Sequence, residues 1–152
     1  MRAPMPCDVL VLAHNEEASI GAVVASVLDQ RWTEERPLGT CLIVSTASTD
    51  ATDQIVSAIA ARDSRVRLLA IPERRGKVTD VNAGVGATEA DVLVIMDADI
   101  ELSDACLPQL VAMFEDAEIG LAAAWRAVPT GARRARAWRV GRLVAEVHNE
   151  LA

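Results

Sequence analysis

Residues 91–99 read DVLVIMDAD, and this stretch decides the fold. Five consecutive apolar residues, three of them β-branched, read as a strand covered on both faces, which belongs in a parallel sheet with helices packed over it. The strand ends in two carboxylates, Asp97 and Asp99, separated by one alanine. Working outward, the same kind of run recurs upstream as 66–71 (VRLLAI, stopped by Pro72), 41–45 (CLIVS) and 7–13 (CDVLVLA).

Segments of helical period separate these runs. Residues 16–30 place Ile20, Val23, Val24, Val27 and Leu28 on one helical face. Ser48, Thr49 and Asp50 supply cap-type oxygens before a helix reaching about Ala61. A third helix is expected over 77–87, weakened by Gly84 and Gly86, and a fourth over 104–114. Residues 119–125 are expected to add a fifth strand. Strand–helix alternation at this spacing implies right-handed βαβ crossovers. The expected class is α/β: a Rossmann-like, mostly parallel sheet flanked by helices. Residues 1–128 form this domain and 129–152 an Arg-rich segment.

Composition narrows the function. A net charge of −7, with one Phe, three Trp and no Tyr, disfavours nucleic acid, which asks for a basic face and stacking aromatics. The charge is uneven. Residues 1–125 hold nine of the fifteen basic residues and twenty of the twenty-two acids, a net of −11. Residues 126–142 carry six arginines (Arg126, Arg133, Arg134, Arg136, Arg139, Arg142) and no acid. That segment is expected to be either a solvated connector or a contact for an anionic partner such as a membrane surface. Cys7, Cys41 and Cys106 are odd in number and lie in or beside apolar runs, as buried reduced thiols of a cytoplasmic protein do. No apolar run approaches the roughly 18–20 residues that span a bilayer, and no signal peptide is expected.

In open parallel sheets ligands bind at the carboxyl ends of the strands. Here those ends deliver His14-Asn15-Glu16, then 45–50 (STASTD), then Glu73-Arg74-Arg75-Gly76-Lys77, then Asp97-Ala98-Asp99. Polar groups thus gather on one rim. Paired carboxylates there suit a hard divalent ion, Mg²⁺ or Mn²⁺, completed by phosphate oxygens. Such an ion would neutralise a diphosphate leaving group. Each residue also has a plainer reading: Glu16 as a helix first-turn acid, Asp50 as an N-cap, His14 as a rim histidine, and the Asp pair as a solvated strand end.

Taken in order, these segments resemble the inverting glycosyltransferases of family two, which have the GT-A fold. Residues 9–17 (VLVLAHNEE) are similar to the family's opening strand and P-A-H-N-E-E turn, with Leu12 in place of the proline. Residues 44–52 (VSTASTDAT) are similar to V-D-D-G-S-T-D-G-T, and Gly76-Lys77 with Asn82-Ala83-Gly84 to G-K-x-x-A-L-N-x-G. Asp97-Ala98-Asp99 follows as the D-x-D. The resemblance implies a nucleotide-diphosphate sugar as donor. Ala13, His14 and Glu16 would line base and ribose, Thr46 and Asp50 would belong to the same donor site, and Lys77 would lie near the phosphates. Asp97 would contact ribose or metal and Asp99 would hold the metal.

Two departures bear on this. Ser45-Thr46 replaces the family's paired aspartates, so the charge-assisted contact to the base is lost and both uridine and guanosine nucleotides stay open. Inverting transfer also needs a carboxylate base, worth about 10²–10⁴-fold. Beyond Glu118 only Glu146 and Glu150 are acidic, and Ala137-Trp138-Arg139 does not match the Q-x-x-R-W of some members. No base is assigned. Residues 129–152 are expected to begin an acceptor region whose remainder lies outside this chain or on a partner subunit, and the acceptor (polysaccharide, lipid-linked or small molecule) is unassigned. The alternative is a catalytically incomplete or degenerate donor-binding domain acting with a partner. Other enzyme classes fit less well. A nucleotidyltransferase would carry a glycine-rich phosphate loop after strand one, and a dinucleotide oxidoreductase G-x-G-x-x-G there. A haloacid dehalogenase phosphatase would carry its D-x-D on the first strand.

Overall fold

The computed structural model of the protein describes residues 3–100 and 102–124. Four strands, β1 (Cys7–Ala13), β2 (Leu38–Thr46), β3 (Val66–Ile71) and β4 (Val92–Asp97), alternate with helices α1 (Ile20–Leu28), α2 (Thr52–Ala60), α3 (Lys77–Val85) and α4 (Cys106–Ala112). A 3₁₀ turn, Met113–Glu115, follows α4. All strand pairs are parallel, and the order across the sheet is β3-β2-β1-β4. From β1 the chain steps outward to β2 and β3, then returns to place β4 on the other side of β1. The order therefore reverses between β1 and β4, where a crevice opens at the carboxyl edge.

Both sheet faces are covered, as continuous apolar runs require. Cys7, Val9, Val11 and Ala13 of β1 and Val92, Val94 and Met96 of β4 join Ile20, Val23, Val24 and Val27 of α1 and Leu107, Leu110 and Val111 of α4 in the larger cluster. The smaller cluster holds Leu10, Leu42 and Val44, with Leu12, Leu69, Ile71, Ala87 and Leu93 against it. Gly84 of α3 backs directly onto this layer: a Cβ there would lie 2.6 Å from Leu10 Cδ2. The glycine that weakens the helix in the sequence is what lets α3 approach β1. At the opposite end of the sheet, the β1–β2 register shifts between Cys7 and Val9. Buried Asp8 closes that irregularity, its Oδ1 accepting from the Thr40 amide at 2.7 Å.

The four expected strands form within a few residues of their expected limits, and Cys7, Cys41 and Cys106 are buried and free. Three expectations are corrected. The first helix begins at Ile20 rather than at residue 16, because residues 14–19 are spent on loop contacts described below. The fourth is shorter, seven residues followed by the 3₁₀ turn. Residues 119–124 form no fifth strand: Gly120 and three consecutive alanines have little to offer a pleated surface. The Arg-rich segment, and with it the boundary at 128, lies outside the described residues. Among the described residues no helix is long and apolar enough to cross a membrane.

Candidate functional site at the β1–β4 switch point

Two loops at the carboxyl edge are stitched together. The Asn15 amide donates to Ser48 Oγ (3.1 Å), and Asn15 Oδ1 accepts from the Thr49 amide (2.8 Å). The Glu16 amide donates to Thr52 Oγ1 at 2.8 Å. Glu17 is tied to two consecutive residues: its amide donates to Asp50 Oδ2, and its Oε2 accepts from the Ala51 amide, both at 3.0 Å. Asp50 Oδ1 accepts from the Thr52 amide (3.0 Å) and hydroxyl (2.5 Å). Asp50 thus caps α2 from one position before the N-cap, Ala51, which has no capping side chain. Burial alone would raise the Asp50 carboxyl, but the bonds from Thr52 and Glu17 outweigh it and hold the group below its ordinary value.

This stitching fixes the backbone that lines a cleft of about 320 Å³ over the ends of β1 and β4. Its walls include Ala13, His14, Glu16, Thr46, Lys77, Asp97 and Asp99. Seven of the eight residues singled out in the sequence therefore meet in one place. The eighth, Asp50, lies outside the lining, in the loop contacts.

The His14 ring donates from Nδ1 to the Thr46 carbonyl at 2.7 Å. That fixes the proton on Nδ1 and leaves Nε2 as an acceptor, and Arg74 Nη1 sits 3.3 Å from it. Thr46 is 3 % exposed, and its Oγ1 has no hydrogen-bond partner. A buried hydroxyl left unpaired costs on the order of 1–3 kcal/mol. Glu16 Oε2 accepts from Ser19 Oγ at 2.6 Å, and Glu16 stands before α1 rather than in its first turn. Gly76, at φ 93° and ψ 152°, turns the chain into α3 and presents Lys77 as the first helical residue. Lys77 Nζ reaches Asp97 Oδ1 at 2.6 Å.

The cleft walls carry four carboxylates, Glu16, Asp80, Asp97 and Asp99, against the cations Arg74 and Lys77. An anionic diphosphate would be repelled there without a bridging cation. Among the described residues no three His, Cys, Asp or Glu are grouped to hold a metal by themselves. Asp97 and Asp99 together supply the one or two carboxylates typical of an Mg²⁺ or Mn²⁺ site completed by phosphate, and Lys77 already occupies Asp97 as a cation. The donor set fits such an ion. Arg74 and Asp80 are the charged wall residues that sequence reasoning did not single out, and for Arg74 a cue was present. Its position two residues before Gly76-Lys77, at the end of a strand, was the available signal.

Two other hollows do not compete. One of about 450 Å³ lies against the outer edge of β4 and is lined mostly by apolar side chains. Another, of about 550 Å³, sits around Asp8, Thr40 and Arg67 at the amino edge of the sheet.

Known proteins resemble this chain in sequence and in fold. The succinoglycan biosynthesis protein ExoO of Rhizobium meliloti is 34 % identical over 90 residues, which cover 59 % of this chain and 24 % of that protein. An N-acetylglucosaminyltransferase of the same organism is 28 % identical over 120 residues, 77 % of this chain and 28 % of its own length. This chain thus spans about a quarter of the curated relatives it matches. Among solved structures, the mannosyltransferase PcManGT from Pyrobaculum calidifontis, in complex with GDP-Man and Mn²⁺, superposes with a TM-score of 0.69 at 25 % identity, over 78 % of this chain and 34 % of that one. Glucosyl-3-phosphoglycerate synthase from Mycobacterium tuberculosis, in complex with Mn²⁺, UDP and phosphoglyceric acid, gives 0.57 at 26 %, over 71 % and 38 %. The parallel sheet flanked by helices is the GT-A arrangement of these neighbours. The description "Glycosyl transferase family 2" matches residues 8–148, nearly the whole sequence, and the chain belongs to that family.

Proposed function

We propose that the chain binds a nucleotide-diphosphate sugar in the cleft between β1 and β4 and serves the donor side of a glycosyl transfer to an acceptor hydroxyl, with inversion at the anomeric carbon. The observation that carries this reading is the convergence of Asp97, Asp99, Lys77 and the unpartnered Thr46 hydroxyl at the switch point of the sheet. Ala13, His14 and Glu16 would line base and ribose, with Thr46 Oγ1 meeting a polar atom of the nucleoside. Asp50 would support the donor site indirectly, by holding the loop that carries Glu16. Lys77 and Arg74 would face the phosphates. Asp97 and Asp99 would hold Mn²⁺ or Mg²⁺, which supplies charge neutralisation of the departing diphosphate when bound. PcManGT with GDP-Man and the synthase with UDP, both with Mn²⁺, support a nucleotide donor of either kind.

Transfer requires an acceptor and a base beyond these residues. A second reading, a donor-binding domain completed by a partner subunit or further chain, is favoured by the quarter-length match to the curated relatives. The three buried, free cysteines fit a cytoplasmic setting. Peripheral contact with a membrane through residues 126–142 would be tested by liposome binding of Arg→Glu variants.

Asp99→Ala tests the site. It should weaken Mn²⁺-dependent binding of UDP or GDP at least about tenfold, roughly 1.4 kcal/mol. Unchanged affinity in a folded variant contradicts the metal role.

A further inference from the structure

Lys77 is the single lysine of the chain, and its ammonium rests 2.6 Å from the carboxylate that the proposed function needs for a divalent ion. The contact is not a buried structural pair: the two side chains are 65 % and 46 % exposed. It is also not dictated by the packing of one element. Lys77 opens α3, which packs on β1 and β2, whereas Asp97 ends β4. The side chain therefore stretches across the mouth of the cleft to reach it. An exposed pair of this kind is worth at most about a fivefold bias, little enough for a better ligand to break. Arg74, the other cation in the wall, is engaged by His14 instead.

We infer that Lys77 is a stand-in cation. It holds Asp97 while the cleft lacks a divalent ion, and it leaves for the donor diphosphate when an ion takes its place, so that metal and nucleotide bind as a coupled pair. This rests on the donor-site reading above. A compact ammonium on a four-carbon stem can swing between carboxylate and phosphate, serving both as a point charge. The exchange has a thermodynamic consequence. Before nucleotide arrives, Lys77 competes with the ion for Asp97 and weakens metal binding. Once a diphosphate is present, the same side chain is drawn off and adds its charge to the phosphates. By linkage each ligand then improves the other's affinity by the same factor, and part of that factor belongs to Lys77.

The test is a calorimetric titration of the full chain with Mn²⁺ alone, then with UDP or GDP with and without Mn²⁺, with circular dichroism to verify folding. Lys77→Met should bind Mn²⁺ about two- to fivefold more tightly than wild type without nucleotide. It should also bind nucleotide more weakly in the presence of Mn²⁺, shrinking the mutual enhancement. Lys77→Arg keeps a cation on Asp97 and should leave Mn²⁺ affinity near wild type. Arg74→Met removes the same charge from the same cleft without freeing Asp97, and should tighten Mn²⁺ less. Equal or weaker Mn²⁺ binding by Lys77→Met, or equal tightening by Arg74→Met, overturns the inference. Either result with metal-dependent nucleotide binding intact in wild type leaves the donor site standing. A folded wild type that binds neither ion nor nucleotide removes both.

Discussion

At the residue scale, backbone conformations near the cleft separate what alanine and glycine can do. Ala47 sits at φ 49°, in the left-handed region, one residue after β2. A Cβ there costs on the order of 1 kcal/mol, and the family's matching segment has glycine. Ala47→Gly should therefore raise stability by up to about 1 kcal/mol, offset by glycine's greater chain entropy when unfolded. A lower denaturation midpoint would contradict it. Gly76 is the reverse case. Nothing lies within 4 Å of a Cβ built there, yet its φ of 93° with ψ of 152° belongs to glycine. Gly76→Ala should cost about 1–3 kcal/mol through backbone strain alone and misdirect Lys77. Cys7 and Cys41 are inert by burial, which pushes both thiols up to about 12. With about one thiolate in 10⁴ at pH 8, neither should react with iodoacetamide until the protein unfolds. That His14, Glu16, Lys77, Asp97 and Asp99 meet at one rim was legible because each follows a strand of a parallel sheet. The unpartnered Thr46 hydroxyl and the Arg74–His14 contact were not, since both depend on which loops face each other.

Elements carry the next set of constraints. Gly84 is where α3 meets β1, and Leu10, fully buried, has nowhere to move. Gly84→Ala should destabilise the protein by about 1–3 kcal/mol through overpacking, despite alanine's better helix propensity. A neutral result in a denaturant titration would show that α3 can shift. The stitched loops make a pH prediction. The Asp50 carboxyl is held below its usual 3.8, so its contribution to folding is fully present above that value and is lost as pH falls through the depressed one. The amides of Glu17 and Thr52 should lose hydrogen-exchange protection below about pH 4 and show no change between pH 5 and 8. Asp50→Asn should remove that dependence. Strand positions were readable from the sequence because apolar runs flanked by helical period have one good place in a sheet. The start of α1 was not, because residues 14–17 are claimed by partners more than thirty positions away. The expected strand at 119–125 failed for another reason. Over 119–124, Gly120 and the three alanines that follow Leu121 are poor β-formers, and apolar character alone does not pair a strand.

For the molecule as a whole, the position of the cleft follows from topology. The order β3-β2-β1-β4 puts the ends of β1 and β4 side by side although Ala13 and Asp97 are 84 positions apart in the chain. That adjacency is what converts four separate polar segments into one cleft. Strand alternation made the parallel sheet legible in advance, and the motif order identified the rim. The relative placement of the walls, with Asp50 outside and Arg74 inside, needed the structure. The acidic character of this part of the chain, −11 over residues 1–125, is the physical reason an anionic donor should depend on a divalent cation. The most direct measurement is a calorimetric titration of the wild-type chain with UDP and with GDP, each with and without Mn²⁺. The account predicts that one of them binds and that removing Mn²⁺ weakens it at least about tenfold. Binding of neither by a demonstrably folded protein, or binding indifferent to the ion, would contradict it.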